Sequence, residues 1–240
     1  MKDFCIICHN FFPSTDIRHS QLKHCCSNCT DKIFLNKLTT FSSHNSSFSL
    51  TDDSSSNNTY SIFYYQNLIR DLILRSKVQK DYQVLQLLLA IVEMELPSIK
   101  SFIYSHIGTN TDLSLVPTPS SLWSRIKGKY DIAHLITETL SKKLQIPMDH
   151  TSYKLGWSIF KRSKNKIKYT PDSTFSISKL NHIDTNTNIQ NLDSNRCILI
   201  VDDILTTGQT LRKLGSIYKT SDTLVLYFTL ATSKSFFTHI

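Results

Sequence analysis

The stretch Cys197-Ile-Leu-Ile-Val-Asp-Asp-Ile-Leu-Thr-Thr-Gly-Gln-Thr210 constrains the fold of this chain more than any other. Four consecutive apolar residues, Ile198 to Val201, predict a strand covered on both faces. Such strands belong to parallel sheets flanked by helices. Asp202 and Asp203 follow at the carboxyl end of that strand, where open α/β sheets bind their ligands. Then comes a loop of small residues, Thr206, Thr207, Gly208, Gln209 and Thr210, opening a helix predicted to run to Lys219. A loop of this kind offers backbone N–H groups, hydroxyls and a helix N-terminus to a phosphate. Glycine is scarce, with 5 in 240 residues where average usage gives roughly 17. Gly208 falls where a tight turn and close backbone approach need one. Neither Gly-Lys-Ser/Thr nor G-x-G-x-x-G occurs here, so the loop is not a nucleotide P-loop or a dinucleotide fingerprint.

The rest of the chain extends the α/β pattern. Tyr60 to Tyr65 is aromatic and strand-like, and Leu68, Ile69, Leu72 and Ile73 follow helical spacing. Asp81 to Glu95 predicts an amphipathic helix buried through Val84, Leu85, Leu88, Leu89 and Val92. Leu113 to Val116 predicts a short strand stopped by Pro117 and Pro119. A long helix is expected from about Ser121 to Leu144, then a basic loop over 161–171 and an Asn-rich loop over 181–195. Arg196–Val201 and Thr223–Leu230 predict strands around the helix from Thr210. Strands alternating with helices argue for a parallel-rich sheet.

A second motif occupies the N-terminal region. Of six cysteines, five fall between Cys5 and Cys29. Cys5 and Cys8 form one C-x-x-C pair, and Cys26 and Cys29 form another. Each pair lets one turn aim two sulfurs at a single ion, and two pairs complete a tetrahedral Zn2+ site of zinc-ribbon or treble-clef type. Four protein ligands leave no open position, so the expected role is structural. The adjacent Cys25 leaves the third ligand open between Cys25 and Cys26, with His9, His19 and His24 as further donors nearby. The expected organisation is a four-cysteine zinc-binding module over 1–38, a polar linker over 39–59 and one α/β domain over 60–240. The N-terminus has no secretory leader pattern, and no apolar run approaches a membrane span. The expectation is a cytoplasmic protein without membrane insertion, its thiols reduced.

The charge is localised. The chain carries 27 Lys and Arg against 19 Asp and Glu, a net +8. Between Leu113 and Pro171 lie 11 basic and 3 acidic residues, so this segment accounts for the whole excess. Within it, Lys161, Arg162, Lys164, Lys166 and Lys168 stand among Trp157, Phe160 and Tyr169. Cations interleaved with aromatics suit a single-stranded nucleic acid.

The apolar strand, acidic pair and Thr-Thr-Gly-x-Thr loop resemble the phosphoribosyl-pyrophosphate (PRPP) motif of type I phosphoribosyltransferases. That resemblance implies that Thr206 to Thr210 hold the 5′-phosphate, with Asp202 and Asp203 as catalytic carboxylates facing the ribose, directly or through Mg2+. It also implies a pyrophosphate loop at Val116, Pro117 and Thr118, with Arg125 and Lys127 after it. Together with the four cysteines, the order of motifs resembles the ComF family, in which a double zinc ribbon precedes a phosphoribosyltransferase-like domain. Lys127-Gly-Lys-Tyr-Asp131 stands where that family commonly carries Arg-Gly-Phe-Asn-Gln. Membership would imply cytoplasmic handling of incoming single-stranded DNA in natural transformation, alongside a helicase-type DNA-uptake translocase. The alternative is an active transferase of nucleotide metabolism, moving ribose 5-phosphate from PRPP to a base or amine. A PRPP-sensing transcriptional regulator is a third reading, and no helix-turn-helix signature accompanies it.

Overall fold

The structure is a computed structural model and describes residues 2–16, 19–38, 58–108, 111–120, 130–149 and 196–233. Strands β3 (Thr59–Tyr64), β4 (Asp112–Pro117), β5 (Arg196–Leu205) and β6 (Thr223–Thr232) form one sheet in the order β3-β6-β5-β4. Every pairing in it is parallel. The α/β class with an N-terminal cysteine module, expected from the sequence, is the observed one.

The period-2 alternation of β5 divides the core. Cys197, Leu199 and Val201 join Leu226, Phe228 and Leu230 of β6 on one face. Ile198 and Ile200 join Val225 and Tyr227 on the other. The first face is covered by α2 (Asn67–Val78), α3 (Tyr82–Met94), α4 (Leu96–His106) and α5 (Ile132–Leu144). The second is covered by α6 (Gln209–Tyr218), through Leu211, Leu214 and Tyr218. Helix α3 starts where the Asp81 carboxylate accepts from the Val84 N–H at 3.1 Å, the ordinary N-cap bond. Its buried residues Val84, Leu85, Leu88, Ile91 and Val92 recur at helical spacing.

The connections place the crevice. From β4 the chain passes through α5 and returns at Met148, which bridges to Leu115 on the outer side of β4. From β5 it passes through α6 to β6, in the opposite direction along the sheet. The two crossovers lie on opposite faces, as right-handed connections running in opposite directions require. The strand order therefore reverses between β4 and β5, and their carboxyl ends flank a topological switch point.

Several boundaries differ from the sequence expectation. The long helix begins at Ile132, with Tyr130 and Asp131 non-helical. Asp131 caps the helix, its carboxylate accepting from the His134 N–H at 3.2 Å. Strand β5 continues beyond Val201 to Leu205, and α4 is an element the periodicity did not single out. Thr59 belongs to β3 rather than to the linker. The expected linker residues 39–57, the start of the long helix at 121–129, and the basic and Asn-rich loops at 161–171 and 181–195 lie outside the described residues.

The N-terminal segment forms a hairpin of β1 (Lys2–Phe4) and β2 (Phe11–Pro13), followed by helix α1 (Ser27–Phe34). It is joined to the sheet domain by a common core, since Ile6, Leu22, Cys25 and Ile33 lie in the same cluster as α2 and α3. Beyond α1 the chain runs antiparallel to β3, with Lys37 bridging Phe63 and the Leu38 N–H donating to the Ile62 carbonyl at 2.9 Å. This covers an edge that would otherwise be open. No helix among the described residues is long and apolar enough to cross a membrane.

Candidate functional site

The ladder between β4 and β5 ends at Pro117 opposite Val201, with the Thr118 N–H donating to the Val201 carbonyl at 2.8 Å. Strand β5 continues beside β6 as far as Leu205 opposite Thr232. β4 thus leaves the sheet where the acidic pair begins, and the two carboxylates stand at the opening. Thr118 is buried, and its hydroxyl donates to Asp202 Oδ1 at 2.8 Å. The Asp203 N–H donates to the same oxygen at 2.9 Å. Burial, reinforced by the charge of Asp203, pushes the Asp202 carboxyl up to about 7, although those two hydrogen bonds oppose the rise.

Asp203 is 7% exposed and is held by Lys77 Nζ of α2. Burial alone would lower the Lys77 pKa. The carboxylates of Asp203, Asp202 and Asp131 outweigh it and hold the ammonium above its ordinary value. Lys77 is a site residue that the sequence did not disclose. A lysine in the last turn of a helix is ordinary, and nothing local announces a partner 126 residues later.

The loop follows the acidic pair directly. Gly208 has φ 68° and ψ 3° and caps α6 in the left-handed region, which costs a residue with a Cβ about 1–2 kcal/mol. Thr206, Thr207 and Gln209 are exposed, Gly208 is buried and Thr210 is half-buried. The Arg212 guanidinium donates to the Thr207 carbonyl at 2.5 Å, which pins the loop and places a fixed cation beside it. The first N–H groups of α6 have no partners within the helix. A helix start of this kind can accept an anion, and a carboxylate at a switch point can accept from a hydroxyl.

In the N-terminal region, the thiols of Cys5, Cys8, Cys26 and Cys29 all lie within 4.8 Å of one another. Cys5 and Cys8 lie in the turn between β1 and β2, closed by the His9 N–H donating to the Cys5 carbonyl at 2.9 Å. Cys26 is the N-cap of α1, and Cys29 lies in its first turn. Cys8 Sγ and Cys26 Sγ are 3.8 Å apart, matching the ~3.8 Å edge of a tetrahedron with ~2.3 Å metal–sulfur bonds. The cluster therefore fits one tetrahedral ion. Burial alone would raise the Cys5 thiol, but N–H groups of Cys8, Cys26 and Ile7 bring it down to about 7. Cys25 turns the other way, into the core shared with α2 and α3, and burial pushes its thiol up to about 12. The third thiol of the cluster is thus Cys26.

Of the other residues expected at a site, Val116 is buried against α6, and Pro117 ends β4 beside the acidic pair. Arg125, Lys127, Lys161, Arg162, Lys164, Lys166 and Lys168 lie outside the described residues. No family model matches the chain, and a search of curated proteins finds no match.

Proposed function

We propose that the chain is a PRPP-binding protein of ComF type, acting on incoming single-stranded DNA in the cytoplasm during natural transformation. One observation carries the reading. A threonine-bound carboxylate, Asp202, stands at a topological switch point, immediately before a Thr-Thr-Gly-Gln-Thr loop that opens a helix. Thr206 to Thr210 would take the 5′-phosphate on backbone N–H groups and hydroxyls, and Asp202 the ribose hydroxyls. Mg2+ would arrive with the pyrophosphate, beside Val116 to Thr118. The four thiolates would hold a structural Zn2+. The localised basic charge supports the DNA part, with Lys161, Arg162, Lys164, Lys166 and Lys168 tracking phosphates beside stacking aromatics.

Calorimetry with PRPP and Mg2+ tests the ligand. Above a pH of about 7, where Asp202 ionises, the expected result is saturable binding that falls about tenfold or more in Asp202→Asn, the loss of one charge-assisted hydrogen bond. No heat of binding from the wild type would overturn it. Fluorescence anisotropy with single-stranded DNA tests the partner. Affinity should fall steeply with salt, with a slope of about −0.7 per phosphate neutralised, and the Lys161, Arg162, Lys164 and Lys166 to Ala variant should flatten that slope. Unchanged affinity in that variant would remove the DNA part. Mg2+-dependent release of pyrophosphate with a base or amine acceptor would make the chain an active transferase instead. Transformation of a deletion strain, complemented by wild type or by the Asp202/Asp203 double variant, separates a role in competence from one in metabolism.

A further inference from the structure

We propose that Lys77 is the fixed counter-charge of the acidic pair and a positioning residue of the site. It holds Asp203 against the helical layer and leaves Asp202 as the carboxylate that meets the ligand.

Successive side chains of a strand point to opposite faces. Along β5, Cys197, Leu199 and Val201 point toward α2, α3 and α5. Asp203 continues that row and reaches Lys77 on α2. Asp202 continues the row of Ile198 and Ile200, on the face of α6 and its preceding loop. The two carboxylates are adjacent in sequence, yet only Asp202 shares a face with the phosphate-type loop.

The chemistry makes this division necessary. A lone ionised carboxylate as buried as Asp203 is costly unless paired. Two uncompensated carboxylates would also repel the anionic ligand that the loop is built to attract. Lys77 removes both difficulties without a metal ion at Asp203. Its side chain is 35% exposed and that of Asp203 is 9% exposed, so the pair joins a partly exposed lysine to a buried carboxylate. A third carboxylate, Asp131 at the start of α5, adds to the field that keeps Lys77 charged. The identity of the ligand rests on the sugar-phosphate reading above, whereas the ion pair does not.

Wild type, Lys77→Met and Lys77→Arg are compared in two measurements. The first is Mn2+ binding, read from the free-ion electron paramagnetic resonance signal with no sugar phosphate present. Lys77→Met should bind Mn2+ about tenfold more tightly than wild type, because a buried carboxylate that loses its counter-ion recruits another. Lys77→Arg should behave as wild type, and Asp203→Asn in the Lys77→Met background should abolish the gain. Equal Mn2+ affinity in all variants overturns the proposal. The second is PRPP affinity, which should fall roughly fivefold in Lys77→Met and recover in Lys77→Arg. If wild type binds no PRPP, the proposed function fails while the Mn2+ comparison still decides the ion pair. Should Lys77→Met fail to fold, the double variant with Asp203→Asn decides instead. Restored folding supports the pairing, and continued failure to fold refutes it.

Discussion

Asp202 lies in surroundings that disfavour its charge, beside a carboxylate that is already paired. The fold raises its pKa from 3.8 to about 7, and so favours the protonated form. Its contribution to stability is complete below the unfolded value and is lost as pH climbs through about 7. Asp202→Asn, which keeps an acceptor for Thr118 but cannot ionise, should therefore gain on wild type across that window. Above it the variant should be more stable by about 1–4 kcal/mol. Thermal melts from pH 4 to pH 8 check this, and parallel curves for the two proteins would refute it. On the proposed function the same substitution should weaken binding of PRPP, an exchange of stability for function. A second residue-scale prediction separates neighbours. Cys25→Ser should keep its metal content but lose about 1–3 kcal/mol, because a hydroxyl replaces a thiol in an apolar core. Cys26→Ser should lose metal. Metal analysis beside denaturant titration distinguishes the two. The acidic pair, the loop and the paired cysteines were legible because their chemistry is contiguous in sequence. The choice between Cys25 and Cys26, and the role of Lys77, were not. Both depend on which way a side chain points once distant segments have packed.

At the scale of elements, periodicity located the core strands and helices, while their ends depended on neighbours. Strand β5 outlasts its apolar run because β6 remains beside it to Leu205, whereas β4 departs at Thr118. Helix α5 starts at Ile132 because Asp131 caps it, a local signal that the basic residues before it obscured. Helix α6 sits close to the sheet because Gly215 faces Tyr227. A Cβ there would overlap the tyrosine hydroxyl and lie 3.1 Å from Cζ of a ring that is 2% exposed. Gly215→Ala should destabilise by about 1–3 kcal/mol through overpacking. It should also weaken ligand binding, since the N-terminus of the displaced helix carries the loop. Tyr227→Phe in the same chain should recover part of the loss by removing the overlapping oxygen, a coupling that a double-mutant cycle measures. Strict additivity of the two changes would show that α6 does not rest on that contact.

At the scale of the whole molecule, the cysteine module and the sheet share one core. Ile6, Leu22, Cys25 and Ile33 pack into it, and Lys37 pairs with the buried Glu95 at 2.7 Å. The sequence suggested a module set apart by a polar stretch, because composition reports linkers and cannot report docking. Chelation should therefore destabilise the whole protein by several kcal/mol of lost metal binding and lower its melting temperature in one cooperative transition. Far-ultraviolet and near-ultraviolet signals should move together. A sheet that melts at an unchanged temperature after metal removal would show that the two parts stand independently.

Helix α2 fixes where this protein can change length. In its last turn, Arg75 donates to the Ile6 carbonyl in the Cys5–Cys8 turn at 3.0 Å, and Lys77 grips Asp203. Two helical steps turn the side chain by ~200°, so the two residues face opposite sides of one rod. A single residue inserted before Arg75 would rotate both by ~100° and release the cysteine turn and the acidic pair together. Insertions and deletions should therefore be absent from this turn in any descendant that keeps both sites.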